Sequence, residues 1–179
     1  EMQAVARTLD LSGMEVLDFP DSGLKEMDPR RLEAAVREEI SRRRPDVLVA
    51  YPVHGISGFH DHLVAHAVVK RVFCELAGSP GAPRRLALHT ITEEDARKVA
   101  HFPLSGSKPE EIDAAVPVEA EDIAACLAAL DCYVTFQETI QASGVRAMQK
   151  SPVVFELFGE RHDPPLRDLF ERLPEGARG

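Results

Sequence analysis

The amino-acid sequence predicts an α/β fold, and three observations carry that prediction. Apolar spacing switches between a helical and a strand-like period, a strand–helix–strand (βαβ) succession runs over residues 14–51, and a glycine-rich turn joins its second strand to the next helix. A chain of 179 residues with 44% hydrophobic content can bury one substantial core. One domain over residues 1–160 is expected, followed by a C-terminal tail over 161–179.

Each element has its own local justification. Met2, Val5, Ala6 and Leu9 recur at helical spacing, and Met14 to Phe19 alternate as a short strand would. Pro20-Asp21-Ser22-Gly23 then interrupts as a turn, with Gly23 expected to supply the positive φ. Asp28-Pro29 opens the next helix with a cap residue and a first-position proline, and Leu32, Ala35, Val36 and Ile40 form its buried stripe. It closes on Arg42-Arg43-Arg44, where cations complement the negative end of the helix dipole.

Asp46 to Tyr51 is a nearly continuous apolar run, the pattern of a parallel strand covered on both faces. The turn Pro52–Phe59 leads from it into a long helix, Asp61 to Ala77. Arg85–Thr90 reads as a strand, Thr92-Glu93-Glu94-Asp95 as a capped helix start, and 103–109 as a loop. Ile112–Val118 reads as an edge strand, Ala120–Ile140 as one long helix and Pro152–Phe158 as the last strand. The tail, with prolines at 164, 165 and 174, is expected to be a surface helix with a frayed end. There is no internal repeat and no low-complexity segment.

Composition excludes several classes of partner. With 21 basic against 30 acidic residues the formal charge is −9, which disfavours nucleic acid and anionic membrane surfaces. No run approaches the roughly 18 to 20 apolar residues of a membrane span, and the start lacks the pattern of a signal peptide. Cys74, Cys126 and Cys132 are odd in number and sit in apolar stretches, so a reducing, cytoplasmic setting is expected. A homo-oligomer is left open. The sequence holds neither a Gly-x-Gly-x-x-Gly nor a Gly-Lys-Ser/Thr phosphate loop, so a nucleotide-binding reading has only the general layout in its favour.

Chemistry concentrates in the turn after the central strand. His54, His60, His62 and His66 are four of the seven histidines and fall within thirteen positions. Neutral imidazole is a common zinc ligand and a neighbouring carboxylate can orient it, so His60-Asp61-His62 beside a glycine-rich turn suits a metal. The turn lies at the carboxyl end of a parallel strand, where open α/β sheets place their ligands. His62 and His66 could share one helix face, but Leu63-Val64-Ala65 lacks the glutamate of zinc proteases, and His66 reads as a structural residue. Asp21 suits either turn formation alone or contact with a substrate. Glu93, Glu94, Asp95 and His101 read as solvated or loop residues.

These residues resemble a family, the zinc-dependent N-deacetylases called LmbE-like or PIG-L-like. Phe59-His60-Asp61-His62 stands where that family has His-Pro-Asp-His opening a helix, and Phe19-Pro20-Asp21-Ser22-Gly23-Leu24 is similar to its aromatic-Pro-Asp-Gly-Gly-Leu turn. Asp28-Pro29 and Arg44-Pro45-Asp46 also match. The resemblance runs from Glu1 to about Ala77 and is weak beyond, where Thr135-Phe136-Gln137 is similar to a family helix ending near Ser-Gln.

The resemblance implies a Rossmann-like three-layer α/β/α sandwich with a mostly parallel sheet, whose first strand and helix precede Glu1. It implies His62 as a zinc ligand, Asp61 as a supporting carboxylate, and removal of acetyl groups from N-acetylglucosamine-type substrates by metal-assisted amide hydrolysis. The other two ligands and the general base belong, in the family, to an Ala-His-Pro-Asp-Asp-Glu motif that this sequence does not contain, and an upstream segment is expected to carry it. Phe59 replaces the first histidine of the second motif and Ser57 stands where some members have tyrosine. Phenylalanine cannot donate to an oxyanion. His60 or His54 takes over that task, or the site binds a sugar or metabolite without turnover, or it acts on a different amide.

Overall fold

The computed structural model describes residues 1–99 and 102–175, so His101 and the last four residues of the expected frayed end lie outside the described residues. The α/β class is as expected. Helix α1 (Met2–Thr8) buries Val5 and packs on α5 (Ala120–Asp131). The Glu1 carboxylate ties this contact by accepting from Thr135 N at 2.7 Å and Thr135 Oγ1 at 2.8 Å.

Helix α2 (Pro29–Arg43) is capped by Asp28, which accepts from Arg30 N at 3.0 Å, and it ends on Arg44 in the left-handed conformation with φ 46°. Leu32 and Ile40 are buried on its inner face. The buried Glu33 pairs at 2.9 Å with Arg71 of α3 (His60–Leu76), locking the two packed helices together.

The sheet departs from the expectation. Strands β1 (Val47–Ala50), β2 (Arg85–Thr90), β3 (Ala114–Val116) and β4 (Val153–Leu157) lie in the order β1-β2-β4-β3. Only β1 and β2 run parallel; β4 enters between β2 and β3 antiparallel to both, so this four-stranded sheet is mixed and not mostly parallel. The apolar run in β1 suggested cover on both faces, yet β1 is an edge of the described sheet and Val49 is 58% exposed. Residues 14–19 form no strand, and Val16 and Leu17 are exposed. Strand-like alternation makes a strand only when a ladder partner takes up the backbone groups.

Two other expectations are corrected. The run 120–140 is two helices, α5 and α6 (Gln137–Ser143), bent by 84° around a 3-10 turn. No proline or glycine marks the break. Tyr133 leaves the helical region with φ −88° and ψ 73°, and the Gln137 amide donates to the carbonyls of Leu130 at 3.0 Å and Tyr133 at 2.9 Å, adding to their long backbone bonds from Tyr133 N and Phe136 N. The tail contains no helix among the described residues. Leu166 joins Ala87, Ala114, Phe155 and Leu157 in the core, and bridges to Ala114.

The fully buried Arg85 holds the following stretch. It bonds the Glu160 carboxylate at 2.9 and 2.7 Å, and donates to the carbonyls of Leu169, Glu171 and Arg172. Short helix α4 (Glu93–Lys98) starts at Thr92, whose hydroxyl accepts from Asp95 N at 3.1 Å, as the capping pattern indicated. No single helix among the described residues is long and apolar enough to cross a membrane.

Candidate functional site

The histidine-bearing turn joins the carboxyl end of β1 to α3. Its path is set by three left-handed residues, Gly55 at φ 63°, Ile56 at φ 60° and Gly58 at φ 70°. Glycine is required at 55 twice over: a Cβ there would lie 3.0 Å from His62 Cβ and 3.1 Å from Leu63 Cδ2. The turn therefore lies directly against the first turn of α3. Ile56 is a β-branched residue in a region such residues avoid, at a cost of about 1–3 kcal/mol. Two bonds hold it there: its N–H donates to His54 Nδ1 at 3.1 Å, and its carbonyl accepts from Ser105 N at 2.8 Å.

Backbone partners decide which nitrogen of each imidazole carries the proton. A carbonyl has no proton to give, so the 2.9 Å contact of His62 Nδ1 with Gly55 O requires Nδ1–H to donate. In the neutral ring this leaves the Nε2 lone pair of His62 uncommitted. Ser57 Oγ lies 3.0 Å from the same Nδ1 and accepts from Phe59 N at 3.3 Å, and the ring of Tyr51 stacks on the imidazole at 3.9 Å. By the same reasoning the buried His66 donates Nδ1–H to Tyr51 O at 2.8 Å, a structural bond that fits its expected role.

His54 has the opposite tautomer. Its Nδ1 accepts from Ile56, so Nε2–H points to Ser107 Oγ at 3.5 Å. Ser107 is buried between Thr90 Oγ1 at 2.7 Å and Glu156 Oε1 at 2.5 Å. Burial lowers the His54 pKa below its ordinary value, with the Glu156 carboxylate opposing, so the neutral ring is favoured. Both ring nitrogens of His54 are thus engaged in holding the turn, whereas His60, the first residue of α3, is exposed. Of the two residues expected to assist an oxyanion, His60 is exposed and His54 half-buried.

Among the described residues Asp61 makes no hydrogen bond to an imidazole. Its Oδ1 accepts the backbone N–H of Leu24 at 3.2 Å, which ties the 20–24 turn to the start of α3 and brings the two sequence motifs together. In that turn Pro20 O accepts from Gly23 N at 3.2 Å, and the positive φ of 59° belongs to Ser22. Gly23 has φ −109°; it is needed because a Cβ would come within 2.9 Å of Pro20 Cγ. Asp21 is exposed on the same turn.

His62 fits one position of a metal centre, with Nδ1–H anchored on a carbonyl and Nε2 without a hydrogen-bond partner among the described residues, which is how the ring of a metal-bound histidine is commonly held. Among the described residues no three His, Cys, Asp or Glu side chains converge as a ligand set. Sequence reading missed Tyr51, Ser105, Ser107, Thr90 and Glu156. Tyr51 borders the turn, but the others reach it from β2, β4 and the 102–107 segment, and no local spacing encodes contacts across 49 or 53 positions.

The fold and site define an α/β domain with its histidine-bearing turn at a strand's carboxyl end. Residues 1–73 match the PIG-L family, described as GlcNAc-PI de-N-acetylase, which bears out the LmbE-like or PIG-L-like resemblance over α1, α2, β1 and most of α3. No curated protein matches the chain. The matched family is one of deacetylases, hydrolases acting on sugar conjugates.

Proposed function

We propose that the protein is a zinc-dependent amide hydrolase that removes an acetyl group from an N-acetylated amino sugar or its conjugate. Its frame is a Rossmann-like three-layer α/β/α sandwich in one domain. The observation that carries this reading is the anchored tautomer of His62, beside a family match that spans both motifs. In the proposal His62 is a zinc ligand, and the metal supplies Lewis-acid polarisation of the acetyl carbonyl when bound. Gly55 O and Ser57 Oγ hold the His62 ring, and Tyr51 covers one of its faces.

Asp61 acts as a positioning residue that keeps the Asp21 turn beside α3, and Asp21 is placed to accept hydroxyl hydrogens of a sugar. His60, exposed at the helix start, is assigned to the developing oxyanion or leaving amine, and neutral His54 keeps the turn in shape. The remaining ligands and the general base correspond to a family motif that this sequence does not contain, so hydrolysis requires those groups to be supplied alongside His62. The three free cysteines fit a cytoplasmic setting.

A second reading has a specific observation behind it. Phe59 and Ser57 occupy positions where polar catalytic groups are expected, which favours a member that binds a sugar or metabolite without turnover. The test is zinc content by elemental analysis on the full-length protein with His62→Ala alongside, followed by deacetylation assays on N-acetylglucosamine conjugates. Near-stoichiometric zinc that falls sharply in the variant, together with acetate release, is expected. Zinc and sugar binding without acetate selects the second reading, and no zinc after reconstitution removes the hydrolase.

A further inference from the structure

An aromatic row runs through His62. Tyr51 stacks on its imidazole with planes 10° apart, Phe59 meets it edge to face at 5.6 Å, and Phe102 meets Phe59 at 5.9 Å with the planes perpendicular. Each member is fixed by its own element. Tyr51 ends the β1 segment with its carbonyl on His66, Phe59 is the N-cap of α3, and Phe102 begins the segment whose Ser105 holds Ile56. Despite this packing Phe59 is 49% exposed and Tyr51 36% exposed.

The N-cap is where a Ser, Thr, Asp or Asn would satisfy an orphan N–H, and Phe59 makes no such side-chain bond. A large apolar ring held out to solvent at that position contributes neither a cap nor core burial. Rigid aromatic faces beside a few polar groups are what ligand sites are made of.

The geometry points to Phe59, backed by Phe102, as a stacking platform that makes the His62 site specific for ligands with a flat C–H face, the pyranose ring being the chemistry that fits. It rests on the His62 site being the ligand site, and not on zinc. A pyranose turns polarised C–H bonds of one face toward a π system and keeps hydroxyls at its rim, where the exposed Asp21 carboxylate of the tethered turn can accept them. An acyclic N-acetyl compound offers the same amide without that face.

The test uses the full-length protein as wild type, Phe59→Ala, Phe59→Tyr and Phe59→Trp, with methyl N-acetyl-β-D-glucosaminide and N-acetylalanine as probes. Titration calorimetry and saturation-transfer NMR read binding, and zinc is measured in parallel. The glycoside is expected to bind with saturation reaching its ring C–H protons, Phe59→Ala to weaken it about tenfold, and Phe59→Tyr to stay within about twofold. N-acetylalanine is expected not to bind. The chain has no tryptophan, so in Phe59→Trp the single indole emission should shift on adding the glycoside. Unchanged affinity in Phe59→Ala, equal binding of N-acetylalanine, or no glycoside binding by the wild type would overturn the platform. Zinc with Phe59-independent binding removes the platform and leaves the hydrolase; Phe59-dependent binding without zinc does the reverse.

Discussion

His54 shows how a single ring can report on the state of the site. Its Nδ1 accepts from Ile56 and its Nε2–H faces Ser107, an arrangement that only the neutral ring can make. Burial places its folded pKa below the unfolded value of about 6.5, so the unfolded chain binds more protons in the window between them. The stability it contributes is fully present above about pH 6.5 and is lost as pH falls toward the folded pKa. Urea unfolding from pH 8 down to 5 should therefore show a midpoint that declines on the acid side. His54→Asn should flatten that decline without abolishing it, because burial lowers His89 in the same direction. An identical slope in the variant would mean that His54 is not held neutral.

At the scale of elements, the turn after β1 and helix α3 form one unit. Gly55 permits the left-handed φ and lets His62 and Leu63 approach, so Gly55→Ala meets both a conformational and a steric cost. The conformational part alone is about 1–2 kcal/mol. A loss of about 2–4 kcal/mol is expected, which for a chain of this size lowers the melting temperature by roughly 4–16 °C. The variant should also hold less of whatever binds His62, since Gly55 O orients that ring. A melting temperature within a degree of wild type would show that the turn can move off α3.

The elements also differ in how legible they were. Helix α2 was readable to within a residue because Asp28-Pro29 and the arginine run are local signals. The α5–α6 break was not, because the bonds from Gln137 that make it tolerable come from the following helix, and Ala120–Ile140 contains neither proline nor glycine.

For the whole molecule, the decisive residue is Arg85. Wholly buried in β2, it binds Glu160 and gathers the carbonyls of Leu169, Glu171 and Arg172, while neighbouring Arg84 donates to those of Leu173 and Pro174. Desolvation pulls the Glu160 pKa up, but bonds from Arg85 and His162 outweigh it and hold the carboxyl below its usual range. Arg85→Met would leave a carboxylate and three carbonyls short of partners, and breaking such a pair costs about 3–5 kcal/mol. Proteolysis should then cut residues 161–175 far faster than in wild type; equal protection would show that Leu166 alone holds the segment.

Sequence by itself determined the α/β class, the caps of α2 and α4, the family resemblance and the cluster around His62, because periodicity, capping and motif spacing are local properties of the chain. Only the tertiary structure decided the antiparallel entry of β4, the burial of Leu166, the Asp61 bond to Leu24 and the proton positions on His54 and His62. Those depend on which distant backbone groups come within reach, and hydrogen bonds between residues dozens of positions apart leave no periodic trace.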